Sequence, residues 1–290
     1  MRLTLLLSSL LLVACSSSNA ITLRTKDTPL NQLSEVNAKL AFTCVHEKIP
    51  APSAETDMLF QYARWLQKNN QIQQDEMVDI EIGRLYRIAA ENNHYKANVN
   101  LVNLQNGAMR GQFKLSGGER LRLSQQLIDA HVASGYYMIA IYLQKGAAGL
   151  QQDENMSLRY FRKAADEGSA QAQAYVAEKL APIDIAPGIA RQMRRCAAEQ
   201  GDGKAARALG VHLSTAKQYR AALEAFQLGA AAGDETAASF LSKGFNGPKP
   251  DNGMYYLGQD EDLERVKRYK QISDVLGNWS YANPSVPEIN

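Results

Sequence analysis

The residues best equipped for chemistry here are four histidines, at 46, 94, 131 and 212, three cysteines, at 15, 44 and 196, and a few paired carboxylates. A zinc hydrolase would show His-x-x-x-His or His-Glu-x-x-His, because two ligands one helical turn apart share a face. Neither pattern occurs, and no cysteine pair has zinc-finger spacing. No Gly-x-Ser-x-Gly elbow is present to expose a nucleophilic serine. Ser116-Gly-Gly-Glu119 lacks the Lys-Ser/Thr that would hold phosphate and its metal. Asp153-Glu154, Asp166-Glu167 and Asp260-Glu261-Asp262 pair carboxylates, but adjacent acids on one helix cannot converge across a cleft as a general acid and base must. Their places at expected helix starts and ends suit capping and solvated faces instead. The sequence therefore points away from an enzyme, and no metal or cofactor is expected.

The elements that carry these residues follow from an internal repeat. Tyr86-Arg-Ile-Ala-Ala-Glu-Asn-Asn93, Phe161-Arg-Lys-Ala-Ala-Asp-Glu-Gly168, Arg194-Arg-Cys-Ala-Ala-Glu-Gln-Gly201 and Phe226-Gln-Leu-Gly-Ala-Ala-Ala-Gly233 align without gaps, with a weaker copy at 128–135. The closing Gly or Asn falls at 93, 135, 168, 201 and 233, giving steps of 42, 33, 33 and 32. Four residues beyond each stands a small or apolar residue (Ala97, Ile139, Ala172, Ala205, Ala237), and four later another (Leu101, Leu143, Val176, Leu209, Leu241). The Ala-Ala pair closes one helix, the Gly or Asn takes the left-handed conformation that ends it, and the next helix starts at once. Two short antiparallel helices cannot bury both faces, so each pair must stack on the next.

The expected fold is therefore all-α: a right-handed solenoid of about six antiparallel helix pairs. First helices are expected near 57–69, 95–105, 136–144, 169–180, 203–213 and 235–243. Second helices are expected near 74–91, 118–133, 154–167, 187–199 and 217–232, with a capping helix at about 260–276. Asp260 would cap that last helix, Gly277 would end it, and Leu263, Val266, Tyr269, Ile272 and Leu276 would be its apolar stripe. The link at 106–118 is lengthened, and Pro182 to Pro187 replaces a glycine link. In such an array the first helices line the concave face. That makes Lys96, Asn100, Asn103, Tyr142, Gln171, Tyr175, Glu178, Lys204 and His212 the candidate partner-binding residues. Tyrosines at 62, 136, 137, 142, 175, 219, 255 and 256 either add contact area there or pack between hairpins.

Composition limits what the surface can recognise. With 32 Lys+Arg against 30 Asp+Glu, the chain lacks the basic excess of a nucleic-acid binder. At 45% hydrophobic residues it has ample core material. Cys44 and Cys196 leave two outcomes open. An oxidising compartment would allow a bridge, whereas residues in distant repeat units rarely touch, which favours two separate buried thiols.

Two resemblances complete the reading. Arg2, the apolar run 3–12 and Leu12-Val13-Ala14-Cys15 closely resemble the lipobox of bacterial lipoproteins. That resemblance implies a signal peptide over 1–15, a diacylglycerol and N-acyl lipid on Cys15, and anchorage facing the periplasm. Ser16, where Asp is absent, resembles the outer-membrane class. Residues 16–40 are polar and would form a tether, 41–245 the solenoid, and 246–290 a C-terminal cap. The repeat signature resembles the Sel-one-like repeat family, relatives of the tetratricopeptide repeat. Phe42-Thr-Cys-Val-His-Glu47, Leu59-Phe-Gln-Tyr-Ala-Arg-Trp65, Met254-Tyr-Tyr256, Asp262-Leu-Glu-Arg-Val-Lys-Arg-Tyr269 and Asn283-Pro-Ser-Val-Pro287 further resemble a group of Sel-one-like lipoproteins. These are associated with type VI secretion phospholipase effectors as their immunity proteins. The resemblance implies a protein partner, a secreted lipase. The other readings open at this point are an envelope scaffold for cell-wall or secretion proteins and an envelope hydrolase.

Overall fold

The computed structural model describes residues 39–70, 75–106, 114–181 and 186–279. The signal segment with Cys15, the tether through 38, most of the long link (107–113), the start of the proline link (182–185) and the tail from 280 lie outside the described residues. The chain divides after Lys39, and the fold below belongs to the unit Leu40–Asn290.

Among the described residues six helical pairs follow one another: α1 (Ala54–Asn69) and α2 (Glu76–Glu91), α3 (Tyr95–Asn106) and α4 (Gly117–Asp129), α5 (Ser134–Lys145) and α6 (Glu154–Asp166), α7 (Ala170–Leu180) and α8 (Pro187–Glu199), α9 (Gly203–Thr215) and α10 (Tyr219–Ala231), α11 (Glu235–Gly244) and α12 (Leu263–Trp279). Among the described residues there is no strand, and each helix packs mainly on its sequence neighbours. This is the stacked-hairpin architecture that the repeat spacing demands.

The turns explain the spacing. Asn93, Gly168, Gly201 and Gly233 all have positive φ, between 62° and 110°. The next residue's N–H reaches back across the turn, as Ser169 N to Ala164 O at 2.9 Å and Asp202 N to Ala197 O at 3.0 Å. That closes the outgoing helix, because the left-handed residue turns otherwise orphaned carbonyls onto donors. The same residue that closes one helix then caps the next: Ser169, Asp202 and Asp234 each accept from the backbone N–H three residues on.

The weaker repeat copy has a different register from the one its spelling suggests. His131, not Gly135, is the left-handed residue there (φ 58°), so the first two steps are 38 and 37. Gly135 lies inside α5, where a β-carbon would stand 2.7 Å from Ser124 O. It occupies the place of Ala97, Ala172, Ala205 and Ala237, at a crossing too close even for alanine.

The core is uneven along the array. The first three pairs bury Tyr86, Leu101, Leu123 and Leu127, and the last two bury Phe226, Leu241, Phe245, Leu257, Tyr269 and Leu276. Between them the interfaces are mostly alanine (Ala164, Ala165, Ala172, Ala177, Ala190) with Phe161, Leu180 and Met193. At the C-terminal end α12 covers the last open face, and Phe245 stacks on Tyr269 at 5.8 Å. Its details differ from expectation. Asp262 rather than Asp260 caps it by accepting from Arg265 N at 3.0 Å, Gly277 is internal, and Leu263 is exposed rather than part of the buried stripe.

Residues 41–53 carry no helix and form a strap across the middle pairs. Arg162 donates to Leu40 O and Ala41 O at 3.3 and 2.7 Å, and Phe42 packs among the core residues around Leu180 and Met193. Gln173 Nε2 donates to Val45 O at 2.8 Å, and Glu47 N donates to Gln200 Oε1 at 2.8 Å. The Glu47 carboxylate accepts from Ser134 N and Ser134 Oγ at the start of α5. Ile49 then packs on the first core. The strap corrects the expectation of two separate thiols. Cys44 and Cys196, 152 residues apart, form a disulfide with a Cα–Cα distance of 5.6 Å. Repeat distance does not apply to Cys44, because its segment is not a repeat: it precedes α1 and lies against α8.

Candidate functional site

Every candidate partner-binding residue lies on a first helix, yet the nine do not form one surface. Lys96 and Asn103 on α3 are exposed, and Asn100 beside them is half-buried with Nδ2 toward Tyr86 OH at 3.4 Å. Tyr142 is a correction: it is buried (4% exposed), with Arg120 set over its ring at 5.6 Å. It fills the α4–α5 interface and offers nothing to a partner. Tyr175 is half-buried, stacked on Phe161 at 3.8 Å, and its hydroxyl accepts from Gln144 at 2.7 Å. Most other tyrosines likewise pack between hairpins. Tyr137 meets Phe161 edge-on at 5.7 Å and Tyr219 meets Tyr256 at 5.0 Å.

Two groups of the candidates do come together. Gln171 and Lys204 line a shallow depression of about 340 Å³ at the turns between repeats. Its carboxylates are committed to structure. Asp202 caps α9, and Asp234 caps α11 while pairing with Arg207 Nε at 3.1 Å. The second group gathers Glu178 and His212 around two arginines of α8. Arg191 Nη1 lies 3.3 Å from His212 Nε2. Burial pushes the Arg194 guanidinium below its ordinary pKa, against the pull of Glu178. Burial first, then Arg191 and Arg194, hold the His212 imidazole below its usual value, so that the ring favours its neutral form. Arg191 and Arg194 were outside the first-helix list because they sit on a second helix. The only sign of them in the sequence is the i,i+3 spacing that puts both on one face.

A further exposed feature lies on α1. Met58, Tyr62 and Trp65 are 67%, 52% and 57% exposed, and the two rings stack at 6.0 Å. Their i, i+4, i+7 spacing reads as a core stripe, but Ala63 marks the buried side of this helix. Among the described residues no earlier pair packs there.

The remaining histidines are structural. His94 Nδ1 accepts from Ala97 N at 3.1 Å, capping α3, while Nε2 faces Asp57 at 3.3 Å and the ring stacks on Phe60 at 4.4 Å. His131 supplies a left-handed turn. His46 is different: a ring nitrogen lies within 4.8 Å of both Cys44 and Cys196 sulfurs, a convergence of possible metal ligands that sequence spacing could not show. Among the described residues no histidine is hydrogen-bonded to a serine, threonine or free thiol, and no helix is long and apolar enough to cross a membrane.

Residues 237–290, which include α12, match the family model of a domain of unknown function, DUF6396. No curated protein matches the sequence. The fold is similar to that of immunity protein PA5088 from Pseudomonas aeruginosa, with a TM-score of 0.65 at 25% identity over 86% of this chain and 91% of that one. It is similar also to immunity protein Pa5087 from the same organism, with a TM-score of 0.65 at 24% identity over 86% and 92%. A Sel1 repeat protein from Oxalobacter formigenes superposes with a TM-score of 0.51 at 17% identity over 76% and 87%. The chain thus has the Sel1-like repeat fold that its signature implies.

Proposed function

We propose that this protein is a lipid-anchored immunity protein whose solenoid binds a lipase effector of a type VI secretion system in the periplasm and neutralises it. The observation that carries this reading is the likeness, over 86% of the chain, to two proteins described as immunity proteins. The form of the molecule supports a partner of protein size. Stacked pairs leave an extended surface rather than an enclosed site, and the depression at the turns between repeats is shallow and polar. The Cys44–Cys196 bridge supports an oxidising compartment, where the lipobox-like segment ending at Cys15 would deliver the chain. Anchoring through Cys15 would concentrate the inhibitor on the membrane under attack. Grip on the enzyme would then block substrate entry or the movement of its lid.

The test is protection in cells. Directing a type VI lipase effector encoded beside this chain to the periplasm should arrest growth, and co-expression of the full chain should restore it. Replacing Cys15 by Ser should weaken that protection. Growth arrest unaffected by the wild-type chain would remove the reading.

A further inference from the structure

A bridge between strap and α8 needs two cysteines and nothing more, yet four donor groups converge there. Cys44 and His46 stand two residues apart on the strap and face the same point. Cys196 and Glu199 are one turn apart on α8 and so share a helix face. The fold sets these two pairs opposite each other. The two sulfurs and a His46 ring nitrogen all lie within 4.8 Å of one another, and Glu199 Oε2 stands 3.5 Å from His46 Nε2. His46 is half-exposed and fills no core space, so packing does not account for its position.

From this geometry we propose that the dithiol form of the protein is a zinc-binding site, with Cys44, Cys196 and His46 as ligands. Two thiolates and an imidazole are the donor set of zinc, and the softness of sulfur excludes calcium and magnesium. With Nδ1 as the metal ligand, Glu199, 3.5 Å from Nε2, would orient the ring as a carboxylate does for a metal-bound histidine, and the fourth position is open to water. Cys44 and His46 are exposed, so the ion enters from solution. Binding releases two protons, one from each thiol, as two sulfur–metal bonds form. In a tetrahedral site with zinc–sulfur bonds of about 2.3 Å the sulfurs stand about 3.8 Å apart. The disulfide and the metal site are therefore exclusive states of the same two cysteines. Both pin the strap to α8.

The experiment uses the full chain, oxidised or reduced with a phosphine, and Co²⁺ as a spectroscopic probe. The reduced chain should take up one Co²⁺ with thiolate-to-cobalt charge-transfer absorption and the visible bands of a tetrahedral ion, all lost when Zn²⁺ is added. The oxidised chain should show none of this. Glu199→Gln should weaken binding by roughly 10-fold or more, and His46→Ala should weaken it further. Because reduction could loosen the fold, thermal unfolding is followed in parallel: Zn²⁺ should raise the midpoint of the reduced chain alone. A reduced chain with neither charge-transfer absorption nor a raised midpoint overturns the proposal, as does equal affinity in His46→Ala.

Discussion

The middle and the C-terminal end of this solenoid solve one problem in opposite ways. At the end, α9 to α12 bury large side chains, Phe226, Phe245, Leu257 and Tyr269 among them, in contacts between near neighbours in sequence. In the middle, α6 to α8 meet mostly through alanines, with Phe161, Leu180 and Met193 the large buried side chains among them, and alanines allow close approach but bury little apolar area per residue. The deficit is met from outside the repeats. The strap at 41–53 adds Phe42 to that core, satisfies Gln173 and Gln200, and is fixed covalently at Cys196. A repeat protein need not be stabilised only by its neighbours. One non-repeating segment can join several units.

The contrast can be broken most strongly at its C-terminal side. Phe226 is fully buried, so Phe226→Ala should destabilise the chain by about 3–5 kcal/mol in urea unfolding. Hydrogen exchange should place the opening in α9 to α12. Replacing Cys44 and Cys196 together by Ser should cost about 2–5 kcal/mol, because a loop spanning most of the fold is released. Here exchange should quicken in the strap and α8, not in α12. Gly168 and Gly201 sharpen the comparison at a single residue. Both have positive φ, so Ala at either should cost about 1 kcal/mol through the backbone. At Gly168 the added β-carbon also meets Glu47 N and His46 C at 2.7 Å, whereas at Gly201 nothing lies within 4 Å. Gly168→Ala should therefore lose about 1–3 kcal/mol more, as the strap lifts. Equal losses would mean that the strap is not seated there. The smallest effect concerns His212. Its folded pKa lies below the ordinary imidazole value, so its neutral form contributes stability above that ordinary value, lost as pH falls through the folded pKa. Arg191→Met should move the His212 titration, followed by NMR, upward toward 6.5.

The regular parts of the molecule were legible because their chemistry is local. An Ala-Ala pair, a left-handed Gly or Asn and a capping Ser or Asp lie within a few residues of one another, so spacing located the turns at 93, 168, 201 and 233, while α12 was legible from its apolar stripe. Gly135 misled for the same reason. It has the right type for a turn, but its role is to let α5 cross α4, which depends on contacts from Ser124. The strap was not legible at all. Phe42, Cys44 and Glu47 have no periodicity, and their partners lie 87 to 153 residues away. Of the binding candidates, helix phase placed Lys96, Asn103, Gln171, Glu178 and Lys204 correctly on the surface. It could not tell that Tyr142 turns inward. Met58, Tyr62 and Trp65 of α1 have the spacing of a core stripe but are exposed, because among the described residues no pair packs on that side.

The central functional claim is tested most directly with purified components. The full chain and a type VI lipase effector encoded beside it are mixed, and hydrolysis of phospholipid vesicles is followed as the chain is titrated. The account predicts a stable complex and hydrolysis falling to background at stoichiometric chain. Hydrolysis undiminished by excess folded, disulfide-bonded chain would contradict it.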